Sequence, residues 1–345
     1  MLKDRIFSIF TANVYKSRKS NMSREQVLEK WLKNVLNTPN FKRTLLAGDA
    51  SFRRYYRVHV ENTQYVVMDA PPPEIPHLFA DIARLLEIQG LSVPSIVADQ
   101  MEEGFLLLSD LGDRLYLNEL NEQTADSLYH DAFKAMLKIQ KCEMKLPVFD
   151  RLFLQRQLGI FEEWYLRRHK SIEPSTYLAT LTPVYELLFQ AIEEQPQVLV
   201  HRDYHSRNLM ILEKGNPGIL DFQDAMYGPI TYDLVSLLQD CYIAWPRERV
   251  VKWVTDFYIQ AKDAELLGYA CDFAKFLRWF DWTGLHRHLK NLGIFTRLHY
   301  RDNKSGYLKD IPQVLSYISE ACDRYPELQS LGDFLQSFNH EMVIN

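Results

Sequence analysis

The sequence has few cysteines, no long apolar run and no excess of positive charge, and each absence narrows the possible functions. Only four of the 345 residues are cysteine, and none forms a CxxC pair, so neither a disulfide framework nor a zinc site is indicated. No apolar run reaches the roughly 18 residues that span a bilayer. A net charge of -5 argues against nucleic-acid binding, which depends on concentrated Lys and Arg. We therefore expect a cytoplasmic protein that binds neither nucleic acid nor membrane.

What is present is a globular composition, with 47% hydrophobic and 25% charged residues, long enough for two domains. Residues 1–22 are basic with a short apolar patch, and Asn13 and Lys16 interrupt any signal-peptide core. We predict a flexible extension there, and Met22 is an alternative start of translation to Met1. Ordered structure is predicted to begin at Ser23, which forms a capping box with Gln26.

The pattern of the chain changes near residue 110. Before it, residues 44–70 alternate in the manner of an antiparallel meander, residues 76–89 have helical periodicity, and SIVADQ and GFLLLSD read as two more strands. After it, long amphipathic helices predominate, for example over residues 124–141 and 152–169, with strands at QVLVH, NLMILEK and NPGILDF. We predict an α+β fold with a small antiparallel β-rich lobe at 23–109 and a larger, mainly helical lobe at 110–345.

The eight residues HRDYHSRN, 201–208, follow the apolar run VLV and precede LMIL, so they form a loop between two buried strands. Hairpin pairing of LMIL with GIL, around a turn at 214–216, would bring Asn208 and Asp221 to the same end of adjacent strands. Carboxylate and amide oxygens suit Mg²⁺. Asp203 is offset from that pair, where it can accept a proton from an incoming hydroxyl.

This arrangement resembles a known superfamily. HRDYHSRN is similar to the protein-kinase catalytic loop HRDxxxxN, and Asp221-Phe222-Gln223 resembles the metal-binding DFG element. The looser pattern HxDxxxxN, the missing DFG glycine and the absence of an APE element match the aminoglycoside phosphotransferase and choline kinase group better than protein kinases. The resemblance implies a protein-kinase-like two-lobe fold that uses ATP and Mg²⁺.

The resemblance also implies roles for individual residues. Asp203 would be the catalytic base, and Asn208 and Asp221 would hold Mg²⁺. His201 is expected to have a structural role, with its ring bonded to backbone. Arg207 would contact phosphate or substrate, although a solvated charge is an equally good interpretation.

In the first lobe, AGDASFRRYYRV lies where kinases place a loop over the triphosphate. Gly48 and Ser51 are small enough to let backbone amides approach phosphates, although a plain hairpin turn fits equally well. Adenine is expected to bind the backbone around Leu108 to Leu111, which includes Ser109 and Asp110.

The third strand departs from the kinase pattern. Kinases carry a lysine in a stretch like VAIK, and here VVMD places Asp69 at the corresponding position. Another cation must therefore compensate, and Arg53, Arg54 and Arg57 are the nearest candidates. Alternation places Arg53 and Arg57 on one face of the strand and Arg54 on the other.

Three stretches, GDASFRRYYR, VVMDAPPP and HRHLKNLGIFTRLHYRDNKSGYL, resemble the bacterial anomeric amino-sugar kinases of cell-wall recycling. This resemblance implies phosphorylation of N-acetylmuramate and N-acetylglucosamine at C1, with a small-molecule sugar as the partner. Aromatic rings stack on sugars and arginine forks match carboxylates. The candidate sugar contacts are Arg207, Asp224, Trp282, Arg287 and Arg301, although the aromatics could equally be core residues.

Two other functions remain open from the sequence. One is a kinase for another small hydroxylated metabolite, such as an aminoglycoside-like or choline-like acceptor. The other is a nucleotide-binding pseudokinase, which Asp69 favours and the intact set of Asp203, Asn208 and Asp221 disfavours. The protein is expected to be a monomer or a weak dimer.

Overall fold

A computed structural model of the protein describes residues 22–48 and 52–339. The extension predicted over residues 1–22 lies outside the described residues except for Met22, and so does Ser51 of the predicted phosphate loop. Within the described ranges, every helix is either too short or too polar to traverse a lipid bilayer.

The described chain forms two compact units. The first contains the residues up to His77 and Ile96–Asp110, and the second contains Leu78–Ser95 and the residues from Leu111 onward. This division differs from the single boundary expected between residues 109 and 110, because a segment from the middle of the expected first lobe groups with the helical part of the chain.

The first unit is built on a five-stranded antiparallel sheet with the strand order β1-β2-β3-β5-β4. Its strands are β1 Lys42–Gly48, β2 Arg54–Val60, β3 Thr63–Asp69, β4 Ile96–Gln100 and β5 Phe105–Ser109. The predicted meander and the two later strands are confirmed. Strand β4 alternates between half-buried and exposed residues, as side chains on opposite faces of a strand do, whereas β5 is buried at four consecutive positions.

Helix α1 (Arg24–Val35) covers one face of this sheet. The predicted capping box is present: the Gln26 N–H donates to Ser23 Oγ at 3.3 Å, and the Ser23 N–H donates to Gln26 Oε1 at 2.8 Å. These bonds satisfy two backbone donors at the helix start. The apolar side of α1 then packs on the sheet through a core of Leu28, Trp31, Leu32, Val58, Val67, Phe105 and Leu107.

Asp69 lies on the sheet face that α1 covers. It pairs directly with Arg54 across strands β2 and β3, and the whole residue is only 3% exposed. Arg24 of α1 binds its carboxylate, with Nη2 at 2.6 Å from Oδ1, and Arg54 Nε lies 3.5 Å from Oδ2. Two arginines therefore neutralise Asp69 within the first unit. Arg54 is one of the three compensating candidates named from the sequence, whereas Arg24 was not anticipated.

Helix α2 (Pro76–Ile88) leads into the second unit, which is mainly helical. The further helices are α3 Tyr116–Glu119, α4 Ala125–Gln140, α5 Arg151–Ile160, α6 Pro174–Glu193, α7 Tyr232–Leu238, α8 Arg247–Asp263, α9 Phe273–Asp302, α10 Ile311–Arg324 and α11 Gln329–Asn339. A π-helix, Phe161–His169, continues α5, and two short 3-10 helices span Ser305–Asp310 and Pro326–Leu328. The helices predicted over 124–141 and 152–169 are confirmed, since their apolar residues recur at helical spacing.

Four short strands complete the second unit. They form two antiparallel pairs, β6 Gln197–Val200 with β9 Met226–Pro229, and β7 Leu209–Met210 with β8 Gly218–Ile219. Strands β6, β7 and β8 were expected from the sequence. Strand β9 was not, because its four residues include Gly and Pro, which are depleted from strands.

The segment 78–95 groups with the second unit through backbone and ring contacts. The Ile219 N–H donates to the Ser92 carbonyl oxygen at 2.8 Å. The ring of Phe79 lies 4.8 Å from that of Phe222, centroid to centroid. The segment is therefore fixed to the chain on both sides of Asp221, through Ser92 before it and through Phe79 of helix α2 after it.

Replacing Arg24 by alanine should destabilise the first unit, because it removes the closest counter-charge of a buried carboxylate. We expect the free energy of unfolding to fall by about 1–3 kcal/mol, measured by denaturant titration. Lys33→Ala is the matched control, since Lys33 pairs with Glu29 on the exposed side of the same helix and should cost less than about 0.5 kcal/mol. Equal losses in the two variants would contradict the role assigned to Arg24.

Candidate active site

The hairpin of β7 and β8 positions two oxygen-bearing side chains at one end. Leu209 pairs with Ile219, and the Leu220 N–H donates to the Asn208 carbonyl oxygen at 2.9 Å. Asn208 Nδ2 consequently lies 3.4 Å from Asp221 Oδ2. The predicted hairpin is confirmed, and it brings Asn208 and Asp221 together as the spacing of the two strands indicated.

Asp203 joins this pair through the backbone of the loop. Asn208 Nδ2 donates to the Asp203 carbonyl oxygen at 2.9 Å. That bond fixes the orientation of the Asn208 amide, so Oδ1 is the atom that can ligate a cation. All three residues are partly exposed, which leaves them accessible to a ligand.

His201 holds the start of the loop and is almost completely buried. Its Nε2 donates to the Leu220 carbonyl oxygen at 2.8 Å, and its Nδ1 accepts from the Asp203 N–H at 3.3 Å. One tautomer of a neutral imidazole satisfies both bonds. The ring therefore ties the strand before Asp221 to the backbone of Asp203, which is the structural role expected from the sequence.

Two buried carboxylates anchor the loop from behind, and sequence reasoning missed both. Asp233 of α7 accepts from the backbone N–H groups of His201 at 2.7 Å and Arg202 at 2.9 Å. Asp240 accepts from the Ser206 N–H at 3.0 Å and also binds its hydroxyl. The signal that could have found them is two acids within the apolar run YDLVSLLQD, because buried acids require such partners.

The backbone at the two ends of the site is strained. Arg202 has a φ of 78° and Asp221 a φ of 63°, and such left-handed conformations cost a non-glycine residue about 1 kcal/mol or more. At Arg202 the strain is held by the bond from its N–H to Asp233. The surrounding hydrogen bonds thus fix a geometry that the loop would not adopt alone.

The electrostatic environment keeps Asp203 ionised. Desolvation by itself raises the pKa of Asp203, but nearby positive groups, with Lys290 contributing the most, lower it to about 2. Burial lowers the pKa of the neighbouring His205. At neutral pH, Asp203 is therefore a carboxylate that can accept a hydrogen bond and a proton.

The donor set at Asn208 and Asp221 fits a hard divalent cation. Mg²⁺ is usually held by one or two protein oxygens, with phosphate and water completing its shell. Gln223 Nε2 donates to Asp221 Oδ1 at 2.6 Å and so orients the carboxylate. Among the described residues, no cluster of three or more His, Cys, Asp or Glu side chains offers a different kind of metal site.

The predicted sugar contacts lie in different environments. The Arg207 guanidinium lies 3.5 Å from the centroid of the Tyr242 ring. Asp224 has an exposed side chain, and its carbonyl oxygen accepts from Arg202 Nη1 at 3.1 Å. Arg287, on helix α9, is buried and acts electrostatically on Asp203. Arg287 is thus near enough to the loop 201–208 to influence Asp203, whereas the contact that holds Asp224 is made by its backbone.

Two predicted sugar contacts on α9 have other partners. Trp282 is 2% exposed, with Arg278 at 4.0 Å over its ring and Tyr325 edge-on to it. Because its ring is packed in this way, the structure does not support sugar stacking on Trp282. Arg301 is exposed and pairs with its neighbour Asp302 at 2.8 Å. It lies about 21 Å along the helix from Arg287, at 1.5 Å per residue.

The predicted nucleotide-binding residues belong to the first unit. Gly48 ends β1 opposite Arg54, and Ser109 ends β5. Asp110 follows directly and binds Arg57, whose Nε lies 2.5 Å from Asp110 Oδ2. The three candidate arginines therefore differ in their partners, since Arg54 binds Asp69 on the face covered by α1.

Arg53 has yet another partner. Its Nη2 lies 2.6 Å from Glu74 Oε2, and both side chains are mostly buried. The same carboxylate accepts from the Phe52 N–H at 3.2 Å. Glu74 thus fixes both the arginine head group and the backbone at the end of the predicted phosphate loop.

Replacing Asp240 by asparagine should loosen the loop. One carboxylate oxygen of Asp240 accepts from the Ser206 N–H and the other accepts from the Tyr242 N–H at 3.0 Å. In asparagine an NH₂ group replaces one of these oxygens, so a donor would face a donor. We expect the unfolding free energy to fall by about 2–3 kcal/mol and amide exchange at Ser206 to accelerate. The exposed Asp263→Asn change makes the same chemical alteration and should cost below about 0.5 kcal/mol. Unchanged exchange at Ser206 would rule out the anchoring role.

Comparisons with known proteins agree with this geometry. The family model described as "Phosphotransferase enzyme family" matches residues 42–271. A protein of Pseudomonas putida named N-acetylmuramate/N-acetylglucosamine kinase is 43% identical over 326 residues, which cover 90% of this chain and 96% of the relative. A protein of Pseudomonas aeruginosa with the same name is 44% identical over 295 residues, covering 84% and 87% of the two chains.

Solved structures give the fold independently. The ADP-bound crystal structure of the aminoglycoside phosphotransferase APH(2'')-Ib superimposes with a TM-score of 0.58 at 16% identity, covering 86% of this chain and 98% of that one. At that identity the likeness concerns the fold alone, and it confirms the expected protein-kinase-like fold. The family model spans residues 42–271, which include Asp203, Asn208 and Asp221. The chain therefore belongs to the phosphotransferase enzyme family.

Proposed function

We propose that this enzyme transfers the γ-phosphoryl group of ATP to the anomeric C1 hydroxyl of N-acetylmuramate and N-acetylglucosamine. The observation that carries the proposal is an ionised Asp203 held next to Asn208 and Asp221 by a fully anchored loop. The names of relatives that match most of the chain support the choice of acceptor. A reaction that uses ATP on sugars recovered from the cell wall is expected in the cytoplasm.

The proposed chemistry needs one base and one set of charge-neutralising groups. Asp203 accepts the proton of the C1 hydroxyl as the bond from that oxygen to the γ-phosphorus forms and the bond from phosphorus to the β-phosphate oxygen breaks, which releases ADP. The proton passes from Asp203 to solvent. An anomeric hydroxyl is more acidic than an ordinary alcohol, so a base with a low pKa is sufficient.

Asn208 Oδ1 and the Asp221 carboxylate would hold Mg²⁺, which when bound neutralises charge on the nucleotide phosphates. Asp203 is tied to this pair through its own carbonyl oxygen. A fixed loop therefore sets the position of the base relative to the ligands. This linkage is what a single-step phosphoryl transfer requires, because positioning contributes most of the rate acceleration.

For the nucleotide we propose contacts from Gly48, Ser51, Arg53, Ser109 and Asp110 in the first unit. Arg53 is the best candidate to replace the kinase lysine, because Glu74 orients it as the helix glutamate orients that lysine in kinases. Arg54 is less suited, since its nearest carboxylate is Asp69 on the face that α1 covers.

Incubation with ATP, Mg²⁺ and a panel of acceptors tests the proposed function. We expect ADP release with N-acetylmuramate and N-acetylglucosamine, together with loss of reducing-end reactivity, because phosphorylation at C1 blocks the free anomeric carbon. Kanamycin and choline should give no release above background. Activity with either of those two and with neither sugar would replace this proposal by the other small-molecule kinase functions.

The control for that assay is Asp203→Asn, which removes the proton acceptor but keeps the shape of the side chain. Its turnover should fall by roughly 10²–10⁴, the usual contribution of a positioned base, with nucleotide affinity nearly unchanged. A fully active variant would show that Asp203 is not the base.

The arginine proposal is tested by comparing Arg53→Ala with Arg54→Ala. We expect the KM for ATP to rise about tenfold or more in the Arg53 variant, as for a lost charge-assisted phosphate bond, and to rise less in the Arg54 variant. Each variant loses one arginine, and the two positions are adjacent in the chain. The change in net charge is therefore the same in both variants. A larger effect at Arg54 would reject the choice of Arg53.

A further inference from the structure

Helix α9 carries an unusual buried polar stretch. Its six residues His286, Arg287, His288, Leu289, Lys290 and Asn291 are all buried. Burial lowers the pKa of His286 to about 3 and that of His288 well below its usual value, so both imidazoles are neutral. Arg287 and Lys290 are therefore the two positive charges of the stretch, three residues apart on one side of the helix.

Arg287 is 3% exposed, and its Nε and Nη1 atoms have no hydrogen-bond partner among the described residues. It does hydrogen-bond Cys241, but burial raises the pKa of that thiol to about 11, so the sulfur carries no charge at neutral pH. Burial alone lowers the pKa of Arg287, yet surrounding groups, Asp203 and Asp240 among them, raise it above its ordinary value. A charged guanidinium is thus buried with two donor nitrogens unused.

Lys290 is 6% exposed, and its Nζ donates to the Tyr232 hydroxyl at 3.1 Å. That partner is a hydroxyl group and not a carboxylate. Within the described part of the chain, neither Lys290 nor Arg287 forms an ion pair with a carboxylate. Burying a cation without a counter-charge in contact is expensive, so such a pair is expected to meet an anion during function.

Both cations are attached to the structure that holds the catalytic loop. Lys290 binds Tyr232, the neighbour of Asp233, and Arg287 binds Cys241, the neighbour of Asp240. Both also act electrostatically on Asp203. Both cations are therefore near enough to Asp203 to influence its charge state.

We propose that Arg287 and Lys290 form an anion subsite that binds the lactyl carboxylate of N-acetylmuramate and so sets the preference for acidic over neutral amino sugars. This inference rests on the proposed function and extends it. A guanidinium fork with two unused donors matches a carboxylate, and the lysine supplies a second charge. N-acetylglucosamine has no such carboxylate, so it would be bound without this contact.

The test is the ratio of kcat/KM for N-acetylmuramate to that for N-acetylglucosamine, measured in wild type, Arg287→Gln and Lys290→Met. We expect the ratio to fall about 10- to 100-fold in each variant, as for a lost charge-assisted contact, mainly through the KM of N-acetylmuramate. Because both sugars are assayed on one preparation, a reduced folded fraction cancels from the ratio. Arg278→Gln removes a charge from the exposed side of the same helix and should leave the ratio unchanged.

A second measurement needs no variant. Calorimetric titration of the wild-type enzyme should give at least tenfold weaker binding for the methyl ester of N-acetylmuramate than for the free acid. Equal affinities, or variant losses of the same size with both sugars, would overturn the anion subsite and assign the two cations to the phosphates or to the fold. A wild-type enzyme inactive on both sugars would instead reject the proposed function itself.

Discussion

The conformation of the loop 201–208 depends on two carboxylates buried behind it. Asp233 and Asp240 together bind the backbone at His201, Arg202 and Ser206, and these bonds hold a strained turn that presents Asp203. A buried carboxylate is stable only when its oxygens are bonded, so anchor and loop stabilise each other. Asp203, the proposed base, owes its position to these two carboxylates behind the loop.

The charge state of Asp203 also depends on buried groups outside the loop. Helix α9 places Lys290 and Arg287 close enough to lower the pKa of Asp203 to about 2, although among the described residues neither cation forms an ion pair with a carboxylate. The helix is thus more than a support for the loop. It creates a positive environment that keeps Asp203 ionised and, in the proposal above, also receives the acidic substituent of the acceptor.

In the first unit, positive and negative side chains neutralise each other through direct ion pairs. A carboxylate stands where kinases have a lysine, and Arg24 from the first helix and Arg54 from the adjacent strand bind it. Arg53 and Arg57 have separate acidic partners, Glu74 and Asp110. Each arginine of the RRYYR stretch therefore has its own carboxylate, which explains how a basic cluster occurs in a protein with an overall negative charge.

The sequence by itself determined the local structure and the grouping of Asp203, Asn208 and Asp221. The capping box at Ser23, the alternation of the strands and the spacing of Asp203, Asn208 and Asp221 depend on near neighbours in the chain, and hairpin pairing carries them directly into the fold. Only the tertiary structure decided which distant groups interact: Arg24 pairs with Asp69, Asp240 accepts from Ser206, and Lys290 acts electrostatically on Asp203. Such pairs join residues far apart in sequence, so no local period encodes them, and their energies depend on burial that the whole fold creates.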